Sequence, residues 1–306
     1  MTATATTKDY LVLHFIVWIW GFTAILGLLI TIPSVEIVWY RTLISFVALG
    51  IMLYFRKRTF KIGFKEILKI LGTGVIISAH WILFFAAARV STASVCLAGM
   101  ATCSLWTSFI EPWVNRRKIK AFEVVLGLVV IVGLYVIFRF EFDHALGLTM
   151  AVISAILSAL FSVINGRLTN RHSPYMITFY EMLGAFLGTT VFFPFYIAYF
   201  TTDGLLHLVP TAMDWLYLAI LALICTVYAF SVSVELMKRI SAFVVNLTVN
   251  LEPVYGIVLA VLIFREKEKM QPEFYIGTLI ILASVLIYPI INRWYKRKAL
   301  KVDNLA

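Results

Sequence analysis

The sequence predicts an all-α integral membrane protein of ten transmembrane helices, arranged as two five-helix repeats of inverted topology. Three observations carry the prediction. Of 306 residues, 62% are hydrophobic and only 14% are charged, at a mean hydropathy of +0.95. Soluble domains carry about 25% charged and about 45–50% apolar residues, so a water-soluble fold of this size could not hide the surplus. Ten apolar stretches have the length that a bilayer core about 30 Å thick demands at about 1.5 Å of rise per residue. Lys and Arg collect between alternate stretches, the asymmetry that orients membrane helices.

Taken in order, the first stretch, 10–30, carries Trp20-Gly21. The segment before it, Met1 to Asp9, lacks a basic region followed by a short apolar run and a cleavage site, so the first span is expected to be its own targeting signal. The second, 35–55, carries Tyr40-Arg41 and ends at Arg56-Lys57-Arg58. The third, 66–89, holds His80-Trp81, and the fourth, 93–111, holds Trp106. The fifth, 121–139, follows Arg116-Arg117-Lys118. The sixth, 145–165, places Gly147, Ala151, Ala155 and Ala159 at every fourth position, with Ser154, Ser158 and Ser162 on an adjacent stripe. The seventh, 174–199, carries Tyr180-Glu181 and then Gly184 and Gly188. Small residues at this spacing let helices approach closely, and both sets read as packing surfaces. The eighth is 213–237. The ninth, 241–264, holds Asn246, Asn250, Glu252 and Pro253, and the tenth, 274–292, ends before Lys296-Arg297-Lys298. Each run is too long for a strand and lacks strand alternation. Backbone left unpaired in lipid is prohibitively costly, so each is expected to be helical.

Charge sets the expected orientation. With the N-terminus cytoplasmic, the inner segments hold nineteen Lys and Arg and the outer loops hold five: Arg89, Arg139, Arg265, Lys267 and Lys269. Glu266 and Glu268 partly neutralise the last three. The bias places both termini in the cytoplasm and the chain in the cytoplasmic membrane. The net charge of +10 lies in clusters facing anionic lipid rather than on a basic face with interleaved aromatics, so nucleic acid is not an expected partner. Cys96, Cys103 and Cys225 lie inside apolar runs without metal-like spacing and read as small buried hydrophobes.

The two halves echo each other. Trp39-Tyr40-Arg41-Thr42-Leu43, followed by Phe46, reappears 140 residues on as Phe179-Tyr180-Glu181-Met182-Leu183, followed by Phe186. Arg89-Val90-Ser91 precedes Gly127 as Arg239-Ile240-Ser241 precedes Gly277, at an offset of 150. Five spans per half is odd, so the second half enters from the opposite face, and the expected units are 1–140, 141–292 and a basic cytoplasmic tail, 293–306.

These residues bring a family into view. Trp20-Gly21, Tyr40-Arg41, Leu251-Glu252-Pro253, Phe264-Arg265-Glu266-Lys267 and Tyr275-Ile276-Gly277-Thr278-Leu279-Ile280 resemble the EamA-type family of the drug/metabolite transporter superfamily. The resemblance covers nearly the whole chain, and its C-terminal block is the most specific part. In the first half, Cys103 or Leu105 stands where a Pro is usual, and basic residues near Lys118 replace the Glu. The resemblance implies export of small metabolites, amino acids or drugs.

An ionisable side chain at bilayer depth is costly unless paired or hydrated, so each marks a candidate site. Arg41 lies about 9 Å inside the outer end of its span, and Glu252 is within about 5 Å of the same level, closer than Glu181, which is about 10 Å lower. A buried Arg41–Glu252 pair is therefore expected, as a register-fixing contact or as an anion site or proton-coupled switch. Pro253 frees the Val249 carbonyl and marks the ninth span as an interrupted helix near Asn246, Asn250 and Glu252. Such a break lines a site or serves as a packing kink. His80, beside Trp81 and nearly level with Arg41, reads as a hydrogen-bonded neutral ring or as a substrate ligand or proton carrier. Trp20, Trp106 and Tyr180 are packing residues or cavity walls. Glu36, Glu111 and Glu235, near span ends, are expected to reach water, as is His14.

The candidate substrate-binding set is therefore Arg41, His80, Trp81, Trp106, Tyr180, Glu181, Asn246, Asn250 and Glu252. No phosphate-binding loop, paired-His metal motif or nucleophile elbow is present, so no cofactor, metal or ATP coupling is expected. The expected function is a secondary transporter exporting a small metabolite or amino acid by alternating access. The alternatives are a broad-specificity drug-efflux pump and, in another class, an intramembrane enzyme or lipid-handling protein. Composition leaves monomer and homodimer equally open.

Overall fold

A computed structural model describes residues 5–57, 62–116, 121–140, 142–268 and 270–303, and among these no strand occurs. Arg58, Lys61, Arg117, Lys118, Lys120 and Lys269 lie outside the described residues.

The first apolar stretch is two helices, α1 (Thr7–Trp20) and α2 (Thr23–Leu29). Next come α3 (Ser34–Phe55) and α4 (Phe64–Val90). The fourth stretch divides into α5 (Ala93–Met100) and α6 (Cys103–Val114). Then follow α7 (Ala121–Phe140), α8 (Ala145–Leu168) and α9 (Pro174–Phe200). The eighth stretch is α10 (Ala212–Ala219), a π-helical segment Ile220–Tyr228, and α11 (Ala229–Leu236). The ninth divides into α12 (Ala242–Val249) and α13 (Glu252–Phe264). Helix α14 (Pro272–Asp303) continues past position 292, so the basic tail is helical as far as Asp303.

Eight of these runs are long and apolar enough to cross a bilayer, among the described residues, and α7 and α14 add the shorter apolar stretches Val125–Ile137 and Pro272–Ser284. The outer surface suits hydrocarbon. On α9, Leu187, Val191, Phe195 and Tyr199 repeat every four residues and all are exposed. In water such a stripe would be unfavourable at about 25 cal/mol per Å², a cost that lipid removes. The polar groups lie inside: Thr42, Ser45, Ser154 and Thr226 are each fully buried.

Small residues set the closest helix crossings. A Cβ on Gly74 would meet the Glu181 carbonyl, and one on Gly184 would meet the Leu71 backbone, which locks α4 against α9. Gly147 packs on Ser91, and Ala151 on Gly99, as the small-residue stripe of α8 predicts. Gly133 and Gly277 abut where α7 crosses α14.

One end of the bundle is closed by the segment 201–211. Asp214 accepts from the Thr31 N–H (2.7 Å), the Thr31 hydroxyl (2.6 Å) and the Thr211 N–H (2.9 Å). The Tyr40 hydroxyl donates to the Leu208 carbonyl (2.8 Å), and Arg89 donates to the carbonyls of Gly27 and Ile30. This closure corrects the expectation for Glu36. The segment covers its helix end, so Glu36 is fully buried and accepts from the His207 N–H (3.2 Å) instead of reaching water. At the other end, Arg239 donates twice to Asp9 (3.1 and 2.8 Å), which ties the α11–α12 connection to the start of α1.

Replacing Asp214 by Ala strands three donors around a site that is 1% exposed. Unfolding in detergent is expected about 5 °C or more below wild type. An unchanged unfolding temperature would show that the 201–211 segment is held by something else.

Candidate functional site

Three helix interruptions meet near the middle of the bundle. The first follows Trp20, where Gly21 passes so close to α13 that a Cβ would come within 2.9 Å of the Tyr255 Cβ. The second lies at Ala101-Thr102, between α5 and α6. The third lies at Asn250-Leu251, with Pro253 in the first turn of α13. Pro253 cannot continue the ladder of α12, as its ring predicts. The break between α5 and α6 has no proline and stands about 150 residues earlier, at the repeat-related position. There the Thr102 hydroxyl turns back to the Gly99 carbonyl (2.8 Å) and competes with helical pairing. The two broken spans are stapled together: Asn250 Nδ2 donates to the Ser104 hydroxyl (2.6 Å), and Asn246 Nδ2 donates to the Thr107 hydroxyl (2.8 Å). The four-residue spacing of the two asparagines puts both on the face toward α6.

Beside these breaks lies a cavity of about 80 Å³, room for a few waters or a small polar group. Arg41 enters it from α3. Its Nε donates to the Thr226 hydroxyl (2.8 Å), and its guanidinium carbon lies 3.8 Å above the Trp81 ring centre. A cation on a desolvated Trp face gains about 2 kcal/mol, which partly offsets the cost of its burial. The π-helical segment makes this geometry possible. The Thr226 hydroxyl donates five residues back to the Leu221 carbonyl (2.9 Å), while the Cys225 carbonyl accepts from Trp20 Nε1 (3.0 Å) and the Ala222 carbonyl accepts from Ser45 (3.1 Å). Widened turns of this kind recur at functional sites because they free backbone groups.

Glu252 faces the cavity from the start of α13 and accepts from the Thr23 hydroxyl at 3.3 Å. It does not form the expected ion pair with Arg41: among the described residues no Arg41–Glu252 contact lies within bridging distance, because Thr226 and Trp81 already hold the guanidinium. The two charges instead share one cavity. A consequence follows for a charge swap. The R41E/E252R double variant is expected to stay at least about tenfold below wild type in transport, since a carboxylate can neither stack on Trp81 nor donate to Thr226. Recovery to the wild-type rate would restore the ion-pair reading.

His80 lines the same space. Its Nδ1 lies 3.0 Å from the Ser154 carbonyl, which can only accept, so the neutral ring carries its proton on Nδ1 and offers Nε2 as an acceptor. The Ser154 hydroxyl completes the clamp by donating to the His80 carbonyl (2.9 Å).

Of the nine candidates, Arg41, His80, Trp81, Asn246 and Glu252 line the cavity. Trp106 stands apart, donating to the Thr102 hydroxyl (3.1 Å). Tyr180 packs edge-on to Phe179, Asn250 is taken up by Ser104, and Glu181 lies behind Asn165. The sequence reading missed Thr23, Thr226, Phe161, Phe230 and Asn165. Ser158 and Ser162, expected as packing, also line the cavity.

A bundle of apolar helices, broken at mid-depth around a small charged cavity, defines a membrane transporter. The chain belongs to the EamA-like transporter family, whose model matches residues 8–139 and again residues 145–288, one match per repeat. Members of that family are transporters and not enzymes. The uncharacterized transporter YetK of Bacillus subtilis (strain 168) is 26% identical over 222 residues, covering 70% of this chain and 64% of its own length, so the match spans less than two thirds of that relative. A protein of known crystal structure aligns over 94% of this chain and 100% of its own at 14% identity, with a TM-score of 0.67, a likeness of fold alone.

Proposed function

We propose that the chain is a ten-span secondary transporter that exports a small metabolite or amino acid across the cytoplasmic membrane by alternating access. Its units are two inverted repeats, 1–140 and 141–292, followed by the basic segment 293–306, with both termini cytoplasmic. The observation that carries this reading is the cavity in which Arg41 and Glu252, both buried, stand without pairing to each other. A buried guanidinium and a buried acid left unpaired in one cavity suit a solute that bears complementary groups, with Asn246 and His80 Nε2 supplying hydrogen bonds. Arg41 disfavours lipophilic cations and so the drug-efflux alternative.

The cavity extends from Trp20 and Arg41 toward Asn165, Met237 and Val245, away from the 201–211 closure. That direction supports loading from the face that carries the termini, as export requires. The test has two steps. Comparing the medium of cells with and without the protein identifies solutes that accumulate outside. The most enriched of these is then followed in proteoliposomes with and without a pH gradient. Saturable, protein-dependent flux is expected. Media that are identical with and without the protein would overturn the export reading.

A further inference from the structure

Glu181 is a buried acid that does not line the cavity. It is 0% exposed on α9, and among the described residues neither carboxyl oxygen completes a hydrogen bond. The side chain it faces is Asn165 of α8, itself fully buried, whose amide nitrogen and oxygen are likewise unpartnered. Asn165 also lines the cavity, so it stands between Glu181 and the solute route. On the other side, α4 seals Glu181 off where Gly74 meets its carbonyl.

None of the described charged groups on the neighbouring helices bonds to the Glu181 carboxyl. On α4, Glu66 is paired with Lys69 (2.6 Å) and His172 (3.3 Å), and His80 is clamped by Ser154. On α3, Arg41 is held by Thr226 and Trp81. Arg167 lies beyond Asn165 on α8, and Glu235 lines a separate cavity at the end of α11 with Arg56 and Lys238.

A carboxylate in such a place has no counter-ion and no donor beside it but the Asn165 amide and is strongly disfavoured, whereas the neutral acid is not. It ionises only when water or a donor arrives, and the adjoining Asn165 is the way in. We infer that Glu181 is a proton-binding site, separate from the solute cavity, which stays protonated while α4 seals it and ionises when the cavity opens to it through Asn165. This rests on the transporter reading above and supplies its coupling ion. In the step, the O–H bond of the Glu181 acid breaks, the proton leaves to water, and the carboxylate takes the Asn165 amide as donor.

Two measurements test it on the intact protein in lipid nanodiscs. Infrared spectra should show at neutral pH a protonated-carboxyl absorption with a component that is lost in E181Q and retained in E252Q. In parallel, Ser233→Cys, which lines the cavity, reports opening through its labelling rate with a water-soluble maleimide. Divided by the rate of a free thiol at the same pH, which removes the thiol's own titration, that rate should change about tenfold from about pH 5 to about pH 9, and E181Q should flatten the normalised profile. An absent component, or a normalised pH profile that E181Q leaves intact, overturns the inference while leaving the transporter reading in place. Failure of Ser233→Cys to label at any pH would overturn both, since the cavity would then not admit water.

Discussion

Arg41→Ala is expected to lower transport of the exported solute by about 100-fold while the protein still inserts and folds. Arg41 is 3% exposed, and its guanidinium is anchored by one hydrogen bond at Nε and by the Trp81 face. Its two terminal nitrogens are thereby oriented rather than consumed, and a guanidinium is built for bidentate recognition of planar anions. A hydrogen bond to a charged group contributes about 1.5–3 kcal/mol, which corresponds to about 10- to 150-fold in affinity. The alanine variant also relieves the cost of burying the cation, so stability should hold or rise. Arg41→Lys discriminates further: it keeps the charge but loses the planar stack, and should recover little. Near-wild-type flux through R41A, at equal membrane abundance, would remove Arg41 from the solute route.

Gly184→Val should have the largest effect on stability. Its Cβ would run into the Leu71 backbone, and backbone cannot rotate away as a side chain can. Helices α4 and α9 would have to separate along their length, reopening the crossing that also seals Glu181 at Gly74. Overpacking of this kind costs about 1–3 kcal/mol and here also forfeits contacts along both helices. The expected result is unfolding about 10 °C below wild type, or aggregation during detergent extraction. A monodisperse G184V protein with wild-type thermal stability would show that the crossing is looser than its geometry implies. Gly72, on α4 and with open space around its Cβ position, is the control, and Gly72→Val should cost little.

Much of the fold is legible in the residues because lipid enforces one simple rule. Backbone must pair with itself, so apolar length reads directly as helix, and the stretches written from hydropathy coincide with helices to within a few residues except where α14 runs on to Asp303. The break at Pro253 is likewise written in covalent chemistry. The matching break at Ala101-Thr102 is not, because no proline announces it and threonine back-bonding is equally common in unbroken membrane helices.

The site was half legible. Arg41, His80, Trp81, Asn246 and Glu252 stand out because polar residues at bilayer depth are rare, but their partners do not stand out. Thr226 and Thr23 look like ordinary threonines, and only the π-helical turn and the break after Trp20 aim them at Arg41 and Glu252. The level match that suggested an Arg41–Glu252 pair fixed height along the membrane normal but not azimuth, and Trp81 occupies the azimuth in question. Glu36 was misread for a related reason: nothing local says that residues 201–211 fold back over it. The serines of α8 serve packing and cavity at once, a division that depends on which neighbour each one meets.

All of these expectations depend on a charged pocket inside an apolar bundle being the path of a solute. The most direct test compares the media of cells producing wild type, R41A and E252Q at matched levels in the membrane. At least one small polar compound should accumulate outside wild-type cells and fall to the empty-cell level for both variants. The same accumulation for all three proteins would contradict this expectation.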